Sequence, residues 1–155
     1  MEKIDSLNQV AEFHRTFNAP VLETPTIPSA ERCTLRISLL QEELNELKDA
    51  IADHDMVEIA DALCDLQYVL SGAVLEFGLG EKFVSLFNEV HRSNMSKACN
   101  SQSEADETIS FYNEKGEDAY SQESGEKINV HRASDHKVLK NKYYSPADLT
   151  SILEN

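Results

Sequence analysis

Between Leu39 and Leu66 the chain reads LLQEELNELKDAIADHDMVEIADALCDL, two helix-forming segments separated by an Asp-His-Asp turn. The first carries Glu42, Glu43 and Glu46; the second carries Glu58, Asp61 and Asp65. Like charges three and four residues apart on one helix repel and cost stability. A chain that repeats this on two adjacent helices, with Lys48 as the only intervening cation, needs a compensating positive charge. Hard divalent cations such as Mg²⁺ take oxygen ligands, usually carboxylates supplemented by phosphates. A solvated helix face is the alternative for either triplet alone, and the pairing of the two favours a metal site.

Periodicity gives the presentation of these acids. Ile37, Leu40, Leu44, Leu47 and Ile51 repeat with the alternating spacing of a buried helical stripe. Glu43 falls at the edge of that stripe, Glu46 further round and Glu42 nearly opposite. Arg32 and Arg36 fall on the Glu43 flank, which predicts cations along the same edge. On the second segment Met56, Ile59, Leu63, Leu66, Leu70 and Val74 form the stripe, and Glu58, Asp61, Asp65 and Tyr68 share another face. Cys64 is expected in the packing. That helix is apolar on more than one side, which predicts burial in a bundle and contacts to a second copy of the chain.

The 155 residues suffice for one domain with a real core. The apolar run from Leu66 to Leu75 is too short to span a bilayer, and the N-terminus shows no secretory signal pattern. Three widely spaced cysteines suit reduced thiols in a cytoplasm. A net charge of −14 argues against polymeric nucleic acid as a partner, but not against a nucleotide approached through Mg²⁺.

Along the chain, a first helix is expected from about Asp5 to Phe17 with Val10, Phe13 and Phe17 inward, then a loop carrying Pro20, Pro25 and Pro28. Ser29 caps the second helix, which ends near Asp53–Asp55. The third ends at Gly78 or Gly80, and a fourth covers roughly Glu81 to Lys97. Residues 1–98 thus form a helical catalytic core. Residues 99–155 form an extension packed on it: a short helix from Ser103 to Asn113, a β-hairpin of AYSQ and KINVHR around Glu123–Glu126, and a basic tail. Lys127, Arg132, Lys137, Lys140 and Lys142 face a single nearby acid, Asp135. They either meet a substrate's phosphates or dock on the acidic core. Pro146 opens a last helical turn. The fold class is mainly α, a four-helix bundle with a short C-terminal hairpin.

EELNE (Glu42–Glu46) followed by EIAD (Glu58–Asp61) resembles the EExxE…ExxD signature of the all-α nucleoside triphosphate pyrophosphohydrolases, the MazG-like superfamily. FHRTFNAPV (Phe13–Val21), EVHRSNMSK (Glu89–Lys97) and KVLKNKYYSPADL (Lys137–Leu149) are similar to segments of its phosphoribosyl-ATP pyrophosphohydrolase-like branch. Residues 99–136 exceed the connector expected there. The resemblance implies hydrolysis between the α- and β-phosphates of a nucleoside triphosphate or phosphoribosyl-ATP-like nucleotide, giving a monophosphate and pyrophosphate. It implies Mg²⁺, with Mn²⁺ a substitute, on Glu43, Glu46, Glu58 and Asp61, and Glu42 or Glu43 orienting the attacking water. Asp65, Asn94 and Lys97 are the implied substrate contacts; Lys137 and Lys140 are expected to join them if the basic tail meets the phosphates. A homodimer or a tetramer is implied as the assembly, and nucleotide-pool housecleaning as a role. A di-iron carboxylate bundle requires Glu-x-x-His pairs that this chain lacks. A non-enzymatic nucleotide-binding or helical interaction protein remains as the other class.

Overall fold

Asp55 fixes where the two acid-bearing helices separate. In the computed structural model, which describes residues 4–154, its carboxylate accepts hydrogen bonds from the Val57 and Glu58 N–H groups at 2.9 and 3.2 Å. These are donors that the first turn of a helix otherwise leaves unsatisfied. Just before it, His54 takes a left-handed conformation (φ +57°), and the Asp55 N–H returns to the Ala50 carbonyl at 3.0 Å. The chain reverses there, so helix α2 (Ala30–Ala52) and helix α3 (Met56–Glu76) form an antiparallel hairpin. Ser29 caps α2 as expected, accepting from the Arg32 N–H.

Helix α1 (Ser6–Thr16) packs on α3 with its face turned from the expected one. Val10, Ala11 and His14 are buried, while Phe13 and Phe17 are exposed and stack on each other at 4.5 Å. The cause is polar. The His14 Nδ1 lies 2.7 Å from the Pro20 carbonyl, which requires a proton on that nitrogen and leaves Nε2 as an acceptor for Arg36, 3.3 Å away. The proline loop then runs along the C-terminal end of α3, with Leu22 N–H bonded to Leu75 O and Thr26 N–H to Phe77 O. Gly78 permits this. Its φ is +66°, and a Cβ there would lie 1.8 Å from the Thr24 carbonyl oxygen.

Arg32 and Arg36 do not line the acid edge of α2. Both turn to Glu76 at the far end of α3, a side chain only 1% exposed. Arg32 Nε donates to Oε2 at 3.1 Å, and both Nη2 groups bond Oε1. Burial opposes ionisation of Glu76. The hydrogen bonds and charges of Arg36 and Arg32 outweigh it and hold the carboxyl below its ordinary range.

Gly72 makes room for this network. A Cβ at that position would meet Arg36 Nη1 at 2.7 Å and His14 Nε2 at 3.0 Å. Glycine-to-alanine changes inside helices ordinarily stabilise by roughly 0.5–1 kcal/mol. Here the sign reverses: Gly72→Ala is expected to lose about 1–3 kcal/mol through overpacking, read as a lower melting temperature. An unchanged or higher melting temperature would show that the network yields freely.

The chain divides into two compact units, one up to Phe83 and one from Val84 onward. A single 3₁₀ turn (Gly80–Lys82) closes the first. The second contains helix α4 (Phe83–Met95) but for its first residue, helix α5 (Gln102–Asn113), strands β1 (Ala119–Ser124) and β2 (Lys127–Arg132), and helix α6 (Leu149–Glu154). The mainly α class with a small C-terminal hairpin is as the sequence predicts.

Two local boundaries differ. Helix α5 starts earlier, because Ser101 rather than Ser103 accepts from the Glu104 N–H. Strand β1 runs through Ser124, so the turn is Gly125-Glu126, with Gly125 at φ +60° and Ser124 opposite Lys127.

The segment 99–136 has its own small core of Cys99, Ala105 and Val130, joined by Leu139, all 5% exposed or less. Cys99 bridges to Ile128 and Val138 to His131, so β2 is flanked on its other edge by two short pieces of chain. All three cysteines are free, and Cys64, expected in the packing, is exposed. No single helix among the described residues is long and apolar enough to cross a membrane.

Candidate active site

The hairpin brings the two acidic triplets face to face. Antiparallel helices align residues equally distant from the turn, so Glu43 meets Asp65, and Glu46 meets the turn of α3 that carries Asp61. Glu58 lies in the first turn of α3, nearer His54 and farther along the hairpin from Glu43. Glu43 is half-buried; Glu42, Glu46, Glu58 and Asp61 are exposed; Asp65 is half-buried.

Electrostatics single out Glu43. Partial burial, then the charges of Glu46, Asp65, Glu42 and Asp61, raise its carboxyl above the ordinary value. The geometry therefore brings four of the other five sequence-selected acids within electrostatic range of Glu43. Among the described residues no hydrogen bond or ion pair engages the Glu43 carboxylate or those four neighbours. The arginines expected on this edge are held by Glu76 instead.

The donor set is chemically suited to a hard divalent cation: several carboxylate oxygens, no sulfur or nitrogen, and no internal counter-charge. Among the described residues, no three Asp, Glu, His or Cys side chains converge as ligands on one point. The fit lies in the chemistry and the unbalanced charge. A cavity of about 600 Å³ between α1 and the C-terminal end of α3 is lined by Asn8, Arg15, Glu23 and Glu81, with none of these acids.

The remaining sequence-selected residues belong to the second unit. Lys97, just past α4, donates to the Asn94 side-chain oxygen at 2.7 Å. Asn141 N–H donates to the Lys97 carbonyl at 3.0 Å, which sets Lys140 beside the end of α4. Lys137 is exposed next to the Val138 bridge. Two of the three flanking segments, EVHRSNMSK and KVLKNKYYSPADL, are thus joined: Arg92 bonds Ser145 Oγ and the Pro146 carbonyl, and Ser93 bonds Tyr144. Sequence reasoning did not identify Ser93 and Tyr144 as partners, since each looks unremarkable without the fold.

The model of the phosphoribosyl-ATP pyrophosphohydrolase family matches residues 10–94. The chain belongs to that family. The matched region contains all six acids and Asn94; Lys97, Lys137 and Lys140 follow it. An uncharacterised protein of Acanthamoeba polyphaga mimivirus is 35% identical over 82 residues, covering 50% of this chain and 33% of that protein. The chain therefore spans about a third of the length of the curated relative it matches.

Proposed function

We propose that this family member hydrolyses a nucleoside triphosphate, or a phosphoribosyl-ATP-like nucleotide, between the α- and β-phosphates. The products are a monophosphate and pyrophosphate. The observation that carries the reading is the uncompensated acidic face of α2 and α3, left negative while the neighbouring arginines serve Glu76. Glu43, Glu46, Glu58 and Asp61 would hold Mg²⁺ or Mn²⁺. When bound, such a cation neutralises phosphate charge and polarises the attacked phosphoryl group.

The chain's own residues do the rest. Water adds to phosphorus, the bridging P–O bond breaks, and the water proton passes to a carboxylate. Glu43 suits that role, because partial burial and then the like charges around it raise its carboxyl above the ordinary value. Asp65 lies beside it, able to orient the same water or the nucleotide. Asn94 supplies an amide for sugar or base, and Lys97, Lys137 and Lys140 supply cations for phosphates.

A homodimer, or a tetramer of two dimers, is part of the same proposal. Ile37, Met56 and Val57 on the hairpin are 69%, 73% and 75% exposed in the single chain. A second copy covers such a face with matching apolar residues. The reading is tested by assaying pyrophosphate release from dUTP, dCTP and phosphoribosyl-ATP, with and without Mg²⁺ or Mn²⁺. Metal-dependent pyrophosphate is expected from at least one. Its absence from the whole panel would sink the enzyme reading.

A further inference from the structure

Three cations of the C-terminal segment differ in how they are partnered. Arg132 is neutralised by Glu117 and Asp135, and Lys142 by Glu107. Lys140 has an aromatic partner instead: its Nζ lies 4.4 Å from the centre of the Tyr144 ring. Among the described residues no carboxylate or hydrogen-bond acceptor engages that ammonium. The difference matters for function. A carboxylate cancels the charge and takes up N–H donors, whereas a ring face steadies the ammonium by roughly 0.5–1 kcal/mol and leaves charge and donors available.

The ring is itself held. Tyr144 Oη lies 2.9 Å from Oγ of Ser93, a residue of α4 that is 3% exposed. The backbone that bears Lys140 is held as well. Tyr112 of α5 donates its hydroxyl to the Lys140 carbonyl at 3.1 Å. Asn141, 5% exposed, donates its side-chain amide to the Ala98 carbonyl and to Glu104, and accepts from Thr108 of α5. Lys140 is therefore attached to the end of α4 through its head group and to α5 through its main chain.

We propose that Tyr144 is a positioning residue, holding the Lys140 ammonium beside Asn94 and Lys97 as one anion-binding patch for the pyrophosphate moiety of the substrate. Tyr112 is its counterpart on the backbone side. The segment 99–136 then contributes to binding through α5, which braces the stretch of chain from which Lys140 projects. The inference rests on the proposed reading of Lys140 as a phosphate contact.

The decisive measurements are pyrophosphate binding in the presence of Mg²⁺ by calorimetry, together with KM and kcat on the best nucleotide of the panel, using the full chain. Lys140→Ala is expected to weaken pyrophosphate about tenfold, the loss of one charge-assisted hydrogen bond. Tyr144→Leu is expected to weaken it about threefold and to raise KM with kcat retained, and Tyr144→Phe, which keeps the ring, to recover most of that loss. In the Lys140→Ala background, Tyr144→Leu should add nothing. Tyr112→Phe should follow the same pattern. If Lys140→Ala leaves binding unchanged, the reading of Lys140 fails and the inference with it. If Lys140→Ala weakens binding but Tyr144→Leu does not, or Tyr144→Leu costs the same in both backgrounds, or Phe is as damaging as Leu, the positioning role is overturned alone.

Discussion

Glu76→Gln is expected to lower the stability of the first unit by about 3–5 kcal/mol, the usual cost of removing one partner from a buried ion pair. Glutamine keeps the size of the side chain, so the loss would report charge rather than packing. Arg36, with its side chain 8% exposed, would be left as an uncompensated buried cation. Arg32, at 35%, can turn to solvent, so Arg32→Ala should cost only a fraction of the Glu76 effect. Acid should do to the wild type what glutamine does to the variant. The carboxyl of Glu76 is held below its ordinary range, so the folded state binds fewer protons than the unfolded state between the two pKa values. The contribution is present above the ordinary carboxylate pKa. It is lost as pH falls below it through the depressed folded value. Denaturant melts across that range should therefore show a steep acid limb in wild type and a flatter one in Glu76→Gln. Parallel limbs would remove Glu76 from the account of acid stability.

This network also marks how far the sequence could be read. The helical hairpin was legible because its signals are local, the alternating apolar spacing, the acid triplets and the Asp53–Asp55 turn, although Ile37, Leu44 and Ile51 of the stripe expected to be buried are exposed in the single chain. The fate of Arg32 and Arg36 was not. Helical spacing placed both beside Glu43, but their partner lies 44 and 40 positions away. Nothing in the neighbourhood of Glu76 in the sequence announces a double arginine contact. Once those arginines are diverted, the acids stand without counter-charge, a stronger reason for a cation than the sequence alone provides.

The second unit divides similarly. Alternation and Gly125 gave the hairpin, and the acidic first turn gave α5. Ser101 rather than Ser103 serves as the cap, two residues after Cys99 is fixed against Ile128 on the outer edge of β2. The basic tail looked uniform in sequence. Only the fold separates Arg132 and Lys142, which are paired with acids, from Lys140, which is not.

Asp61→Asn separates a metal ligand from a solvated charge by moving activity and stability in opposite directions. Asp61 is one of the charges that raise the Glu43 carboxyl, so its neutralisation relieves repulsion in the metal-free protein. Two unit charges about 4 Å apart interact by roughly 4 kcal/mol at an effective dielectric constant of 20, and the exposed position of Asp61 reduces that considerably. The expected result is a slightly higher melting temperature without metal. Activity should fall at least about a hundredfold, the upper range for residues that merely support metal ligands. Mg²⁺ at about a hundredfold excess over its dissociation constant should stabilise the wild type by roughly 2.7 kcal/mol, about 5–10 °C for a chain of this length. The variant should show a small part of that shift. Glu31→Gln, an exposed acid in the first turn of α2, serves as the control for general charge removal and should leave the Mg²⁺ response intact. Equal Mg²⁺ shifts in wild type and Asp61→Asn would remove Asp61 from the ligand set. A loss of activity without any gain in metal-free stability would place it in catalysis but outside the repulsive cluster.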